Sequence, residues 1–409
     1  MEIFLVQLLY LLRPMLNAEL VDWRLLGFGF FELAAILLFL ALVAAFSLKL
    51  LRKTREPISG VEVWVALLIV WVTISYLVHI EISSISAYAR WVIPLITYIL
   101  LKRILPDRSA HVRMVFLMLV GFLFPFIMSA ILTYQGQGLD KVVYWTGTER
   151  YSGAYANIHN MAHNAGFAIM LAGTYFLVRK SQATSLRWVE VTVLVTVFLV
   201  GMYLLYHTHT RTLYLGLAVF FFVVLFFYSK RALALTTVIL IALVAYFADS
   251  VSTIFFDFVD PQYTGESFER AGSGRLSIWS RTLDVWRDAP VLHQLTGMGV
   301  ISPGHRTGAP GSIEATVPPW GDPHNDWLFA LMSLGLIGLT ILIGLFASLF
   351  QAILRIPGKE KFAFLGLLAA VMVMNVASNS YISRMTMAQL FFMVIVYADL
   401  RPVRAGKHA

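Results

Sequence analysis

The chain has 409 residues, of which 59% are hydrophobic and only 13% are charged. Soluble domains contain about 25% charged residues, so this composition excludes a water-soluble enzyme and indicates a membrane protein. Cysteine is absent, which excludes disulfides and thiolate metal sites.

Apolar runs long enough to cross a hydrocarbon core of about 30 Å recur along the chain. They predict spans at 27–48, 61–79, 89–101, 112–134, 156–178, 189–206, 212–228, 232–248, 325–351, 362–378 and 385–400. A shorter run, Ile3–Leu12, either tilts, continues past Arg13 and Pro14, or lies in the interface, so eleven or twelve spans are expected. The span centres carry almost no ionisable residue and no interruption, which argues against an ion-coupled transporter.

The basic residues indicate the orientation. Lys and Arg concentrate in alternate connections and in the C-terminal tail, and such connections face the cytoplasm. The net charge of +8 therefore reflects topology rather than a nucleic-acid partner. The predicted organisation is N-terminal transmembrane helices over 1–248, an external loop over 249–323, and C-terminal transmembrane helices with a short cytoplasmic tail over 324–409.

The external loop is too long for a turn and too aromatic for a disordered linker. Within it, Arg275–Trp286 has the periodicity of an amphipathic helix. The apolar positions of that helix are Leu276, Trp279, Leu283 and Trp286. We expect this helix to rest at the lipid interface.

The sequence Pro323-His324-Asn325-Asp326-Trp327 ends the loop and opens a span. Asp322 is a plausible N-cap and Pro323 suits the first helical position, which places His324 in the first turn. The helix dipole disfavours an imidazolium there, so His324 is predicted to act as a neutral general base. The alternative is an interfacial histidine satisfied by solvent.

Two arginines accompany this histidine on the external side. Arg211 opens a span, and Arg275 opens the amphipathic helix. Guanidinium groups bind phosphate through paired charge-assisted hydrogen bonds, so two of them can neutralise a diphosphate leaving group. The pattern points to glycosyl transfer from a lipid diphosphate. Alternatively, Arg211 is a snorkelling anchor and Arg275 pairs with Glu266 or Glu269.

A metal site has weaker support. No Asp-x-Asp pair occurs, and His207 with His209 makes only two ligands, so a structural role is favoured for both. Further polar residues at external span ends are predicted to bind substrate. They are Asn157, His159, Asn160, Tyr214 and Asn325. Helix capping explains some of the asparagines equally well.

Two short motifs resemble those of bacterial O-antigen ligases. His324-Asn325 followed by Gly335 and Gly338 is similar to their histidine motif, and Arg211 with Leu215 is similar to their Arg-x-x-x-Leu motif. Both glycines lie on the span that His324 opens, about three turns down, and small residues at such positions favour close helix packing. The predicted fold class is all-α: a polytopic transmembrane helical protein with about 12 spans and one large periplasmic loop, of the glycosyltransferase-C type.

The resemblance implies transfer of O-antigen polysaccharide from undecaprenyl diphosphate to a sugar of the lipid A core. Arg211 and Arg275 would hold the diphosphate, and His324 would activate the acceptor hydroxyl. The implied reaction is inverting and needs neither a metal nor a cofactor. The protein would lie in the bacterial inner membrane as a monomer, with its site facing the periplasm.

Other functions fit parts of the same pattern. O-antigen polymerases use the same donor with a second lipid-linked glycan as acceptor, and the histidine motif favours a ligase over them. Protein O-oligosaccharyltransferases usually extend further beyond the last span. A flippase or permease, from another class, would need polar residues at mid-depth.

Overall fold

The computed structural model describes residues 2–16, 24–25, 28–29, 36–37, 39–44, 57–80, 83, 85–138, 141–143, 149–182, 185–231, 233–238, 275–300, 323–378 and 385–402. The helices are α1 (Glu2–Met15), α2 (Gly60–Val78), α3 (Ile85–Ile104), α4 (Arg108–Tyr134), α5 (Ile158–Ser181), α6 (Trp188–Thr208), α7 (Arg211–Tyr228), α8 (Arg275–Asp288), α9 (Val291–Thr296), α10 (Asp326–Leu354), α11 (Lys361–Ala377) and α12 (Met385–Ile395), which a 3₁₀ turn (Val396–Asp399) follows. Strands β1 (Arg24–Leu25) and β2 (Phe28–Gly29) form one antiparallel pair, and β3 (Lys141–Val143) and β4 (Glu149–Tyr151) form another.

The helical membrane class is confirmed. Six described helices, namely α2, α4, α5, α6, α7 and α10, are long and apolar enough to cross a membrane. Helix α11, and α12 with its 3₁₀ turn, are shorter apolar helices. The predicted spans 27–48 and 232–248 fall mostly outside the described residues, as do most of the loop residues before Arg275 and after Val300. The count of about 12 spans and the loop's location therefore stay predictions.

Side-chain caps explain where several helices begin. Ser59 and Glu62 form a reciprocal capping box at the start of α2, with hydrogen bonds of 3.2 and 2.9 Å. Asp107 accepts a 2.8 Å hydrogen bond from the Ala110 amide at the start of α4. Each cap satisfies amide groups that a helix N-terminus otherwise leaves unpaired.

Ion pairs mark one side of the helix bundle, which we call the Lys102 side. The Lys102 Nζ atom lies 2.6 Å from Glu62 Oε2 and 2.7 Å from Asp399 Oδ2. These bonds join the start of α2, the end of α3 and the 3₁₀ turn after α12. The opposite ends of these helices therefore point to the other side of the bundle, which we call the His324 side.

Helix α1 packs against the bundle along one face, while Phe4 and Gln7 stay exposed on the other. It continues past Arg13 and packs along α4, where the carbonyl of Leu11 touches Gly121 near the middle of α4. Arg13 is 1% exposed, and its Nε donates a 2.6 Å hydrogen bond to Gln389. Of the alternatives for this short run, continuation past Arg13 is the one observed, and a polar partner from α12 accompanies Arg13 into the interior.

Candidate active site

His324 lies before helix α10 rather than inside it. Its backbone is left-handed, with φ of 46°, and its side chain is exposed. Asn325 is the N-cap, because its Oδ1 accepts hydrogen bonds from the amides of Trp327 and Leu328 at 2.9 and 3.1 Å. The prediction that His324 occupies the first helical turn is therefore wrong. The proposed cap, Asp322, lies outside the described residues.

The observed start of α10 alters the roles predicted for His324 and Asn325. The helix-dipole argument for a neutral His324 applies within the first turn and does not carry over to a residue ahead of the cap. The Oδ1 atom of Asn325 is committed to two amides, so a substrate contact from this residue would use Nδ2. A left-handed non-glycine backbone is uncommon, and such residues are concentrated at functional sites.

Helix α8, which begins at Arg275, is hydrogen-bonded to the residues just before α10 (323–325), which we call the His324 segment. The Trp279 Nε1 donates a 2.9 Å hydrogen bond to the carbonyl of Pro323, the residue before His324. Residues four positions apart share one face of a helix, so Arg275 and Trp279 are on the face that meets this segment. The predicted helix is confirmed, and it extends to Asp288.

The predicted apolar stripe of α8 is divided between two surroundings. Trp279 and Trp286 are partly buried and donate to the backbone carbonyls of Pro323 and Gln294. Leu276 and Leu283 are 38% and 37% exposed. The tryptophans therefore hold α8 against the protein, and only the leucines remain for the predicted contact with lipid.

Helix α10 is interrupted at Gly335, eleven residues after His324. Gly335 has φ of 67° and ψ of −172°, which no helical residue adopts. The break leaves carbonyl groups in the preceding turn without helical partners, and three donors from elsewhere bond to them. The bonds are Met298 amide to Met332 at 2.8 Å, Ser75 Oγ to Ser333 at 2.9 Å, and Trp71 Nε1 to Leu334 at 2.8 Å.

The two glycines of the histidine motif have different roles. A Cβ at Gly338 would lie 2.9 Å from Trp71 Cδ1, which fits the predicted close helix packing. A Cβ at Gly335 would overlap the carbonyl of Leu295, because the backbone at the end of α9 enters the break. The expectation of uninterrupted spans is therefore wrong at Gly335. The sequence pattern did not predict the break, because the donors that stabilise it come from distant segments of the chain.

Arg150 supports the start of α7, where Arg211 lies. Its side chain is buried, its Nε donates to the carbonyl of Thr208, and an Nη donates to Thr210 Oγ1 at 3.2 Å. These bonds link strand β4 to the turn between α6 and α7. Sequence reasoning overlooked Arg150, although an arginine in a short connection on the sparsely charged side was a usable signal.

Arg211 and the His324 segment both lie beside the same end of α11. Thr212, next to Arg211, donates through Oγ1 to the carbonyl of Ala377 at 3.4 Å. Trp327 Nε1 donates to the carbonyl of Met372 at 3.5 Å. The structure therefore places Arg211, Arg275 and His324 on the same side of the bundle. Their catalytic roles stay predictions.

The remaining predicted substrate-binding residues have varied surroundings. Asn157 caps α5, with its Oδ1 accepting from the Asn160 amide at 2.8 Å. The Tyr214 hydroxyl donates to the carbonyl of Leu205 at 3.1 Å. His159 is exposed and Asn160 is half-buried. Asn157 and Tyr214 thus have structural roles, and substrate binding by these four residues stays a prediction.

The His207 and His209 pair lies among tyrosines. The His207 ring centroid is 4.6 Å from that of Tyr203, and His209 ends α6 in a left-handed conformation with φ of 48°. Burial lowers the pKa of His209 to about 4, and the charge of Arg150 acts in the same direction. Within the described ranges, no group of three His, Asp or Glu residues is placed to hold a metal ion.

These features define a multi-pass helical membrane protein with polar and cationic residues at the His324 end of the bundle. The family model described as O-antigen ligase matches residues 194–343. Over this segment the chain is similar to the O-antigen ligase and polymerase superfamily, whose members are glycosyltransferase-like enzymes that act on lipid-linked glycans. The matched segment includes Arg211, Arg275 and His324. A search of curated proteins gives no match.

Proposed function

We propose that this protein is an O-antigen ligase that transfers O-antigen polysaccharide from undecaprenyl diphosphate to a sugar of the lipid A core. The observation that carries this proposal is the hydrogen bond from Trp279 to Pro323. It holds the face of α8 that bears Arg275 against the segment that bears His324, and both lie within the matched family domain.

In the proposed reaction, His324 removes the proton from an acceptor sugar hydroxyl as its oxygen attacks the anomeric carbon. The bond between that carbon and the diphosphate oxygen breaks, and inversion follows from attack on the opposite face. Arg211 and Arg275 stabilise the negative charge that develops on the diphosphate. Two guanidinium groups would perform the charge neutralisation for which other enzymes use a divalent cation, so no metal is required.

The interruption of α10 bears on the flippase alternative. Transporters use unwound backbone carbonyls at helix breaks to coordinate ions. At Gly335, the carbonyls of Met332, Ser333 and Leu334 already accept hydrogen bonds from protein donors. This arrangement favours a structural break over an ion site, and the enzyme remains the better proposal.

The test uses purified protein with lipid-linked O-antigen and rough lipopolysaccharide as the only substrates. A ladder on the lipopolysaccharide supports a ligase. Longer lipid-linked glycan without that ladder would indicate a polymerase, and movement of the donor across the bilayer without a new bond would indicate a flippase. Transfer in excess chelator is expected to persist, and loss that a divalent ion restores would contradict the metal-independent mechanism.

Variants test the assigned roles. Arg211→Lys and Arg275→Lys should each lose most transfer, because Lys cannot reproduce the paired hydrogen bonds of a guanidinium. Arg281→Lys is the matched control, since Arg281 is exposed on the same helix as Arg275. His324→Ala should stop transfer while donor binding remains. Full transfer by the Lys variants, or by His324→Ala, would refute the corresponding role.

A further inference from the structure

A cavity with both polar and apolar walls lies on the Lys102 side, at the opposite end of the bundle from the candidate active site. Its volume is about 470 Å³, and α1, α4, α5 and α6 surround it. Its walls include the first turns of α4 and α6 and the last turn of α5, with Arg113, Arg179 and Arg187 among the lining residues. None of these residues belongs to the proposed glycosyl-transfer site.

The cavity lining is cationic. It contains three arginines and one carboxylate, Glu190, so its formal charge is +2. Glu190 is 5% exposed and is already well bonded: the Tyr175 hydroxyl and the Arg187 amide donate to it, and Arg179 Nε lies 3.4 Å from its Oε1. The charge of Arg179 is therefore largely balanced by Glu190.

The other two arginines reach the mouth of the cavity. The Arg187 side chain is 83% exposed, and its Nε is 4.0 Å from Glu190 Oε2, at the limit of an ion pair. Arg113 is exposed and makes no ion pair with the described part of the chain. Two guanidinium groups are thus available at the cavity mouth, and guanidinium is well suited to phosphate.

Apolar side chains form another part of the wall. Val112, Phe116 and Leu117 of α4 and Val189 of α6 line the cavity beside the arginines. A free anion would gain nothing from this apolar surface, whereas a phospholipid has a phosphate next to hydrocarbon. Basic pockets between transmembrane helices on the cytoplasmic side are suited to anionic lipid headgroups, and the basic helix ends here predict that side.

We propose that this cavity binds the phosphate headgroup of an anionic glycerophospholipid of the cytoplasmic leaflet. Arg113 and Arg187 bind the phosphate, and the upper acyl chains lie along Phe116 and Leu117. The bound lipid would connect the ends of α4 and α6 and would add to the stability of the bundle.

The full-length protein, purified in neutral detergent and stripped of lipid, provides the test. Its thermal stability is measured with added phosphatidylglycerol, phosphatidylethanolamine or sn-glycerol 3-phosphate, and native mass spectrometry counts retained lipids. We expect phosphatidylglycerol alone to stabilise the protein and to be retained. Equal effects of both lipids would overturn the proposal, and full stabilisation by sn-glycerol 3-phosphate would show that the ligand is a soluble phosphate.

A double variant locates the site. Arg113→Gln combined with Arg187→Gln should lower the affinity for phosphatidylglycerol about tenfold or more, because the double variant removes two charge-assisted contacts. Arg355→Gln is the control, since Arg355 is an exposed arginine at the end of α10 on the same side. Both arginines of the double variant are exposed, so folding should survive. Unchanged lipid selectivity in the double variant would place the lipid elsewhere and overturn the proposal.

Discussion

The break in α10 requires a backbone conformation at residue 335 that only glycine adopts readily, and the variant Gly335→Ala tests this requirement. The observed φ of 67° and ψ of −172° belong to a region that is essentially restricted to glycine. Holding alanine there costs about 1–3 kcal/mol. Its Cβ would also overlap the Leu295 carbonyl, and displacing packed backbone costs about another 1–3 kcal/mol. The expected loss is therefore about 2–6 kcal/mol in all.

A matched control separates this effect from that of any added methyl group. At Gly60, the nearest atom to a new Cβ is Ser348 Oγ at 3.5 Å, an ordinary contact, so Gly60→Ala should be close to neutral. Stability is measured as the temperature at which the detergent-solubilised protein loses its monodisperse peak. For Gly335→Ala this temperature should fall by roughly 5 °C or more.

A local measurement reports on the break itself. The Met298 amide donates to Met332 across the junction at 2.8 Å, so it should be protected from hydrogen exchange. In Gly335→Ala its exchange should accelerate, and in Gly60→Ala it should not. Equal melting temperatures together with unchanged protection of Met298 would refute the description of Gly335 as a required break.

Variants at three further positions test other contacts. Trp279→Phe keeps an aromatic ring but loses the hydrogen bond to Pro323, which is worth about 1 kcal/mol, so transfer should fall about fivefold in a folded protein. Unchanged transfer would contradict the link between α8 and the His324 segment. Asn157→Ala should lose about 1 kcal/mol of stability while Asn157→Ser keeps the α5 cap, and equal stability of the two would exclude the cap. The His209 pKa of about 4 lies below its unfolded value near 6.5, so the unfolded state takes up the proton first and stability falls as pH drops from 6.5 to 4. His209→Asn tolerates the left-handed backbone and should show a smaller loss of melting temperature between pH 7 and pH 5; an unchanged loss would contradict the pKa.

Hydropathy was sufficient to predict most of the described spans. The run at 61–79 corresponds to α2 (Gly60–Val78), and the run at 212–228 corresponds to α7 (Arg211–Tyr228). Such agreement is expected because an apolar run flanked by charge has few alternatives to a membrane helix. The capping residues are local in sequence as well, yet the start of α10 was misplaced because Asp322 and Asn325 are both good caps three residues apart.

The features that sequence reasoning missed depend on contacts between distant residues. A single glycine in an apolar run does not by itself predict a helix break. The donors that satisfy the carbonyls beside the break at Gly335 include Trp71 and Ser75 from α2. Arg150 is similar, because its partners Thr208 and Thr210 are about 60 positions away. These partners become visible only when the helices are assembled.

The two halves of the candidate site have separate supports in the described chain. Arg211 follows a turn that buried Arg150 holds, whereas Trp279 and the Gly335 junction hold the His324 segment and α8. A site that stabilises developing charge works best when its hydrogen-bond donors are fixed before the reaction. Moving the donors during the reaction would cost free energy and reduce the stabilisation of the transition state. Backbone carbonyls accept hydrogen bonds in both supports, so the anchoring contacts are made at helix ends, and this is the kind of fixed placement that the proposed site would need.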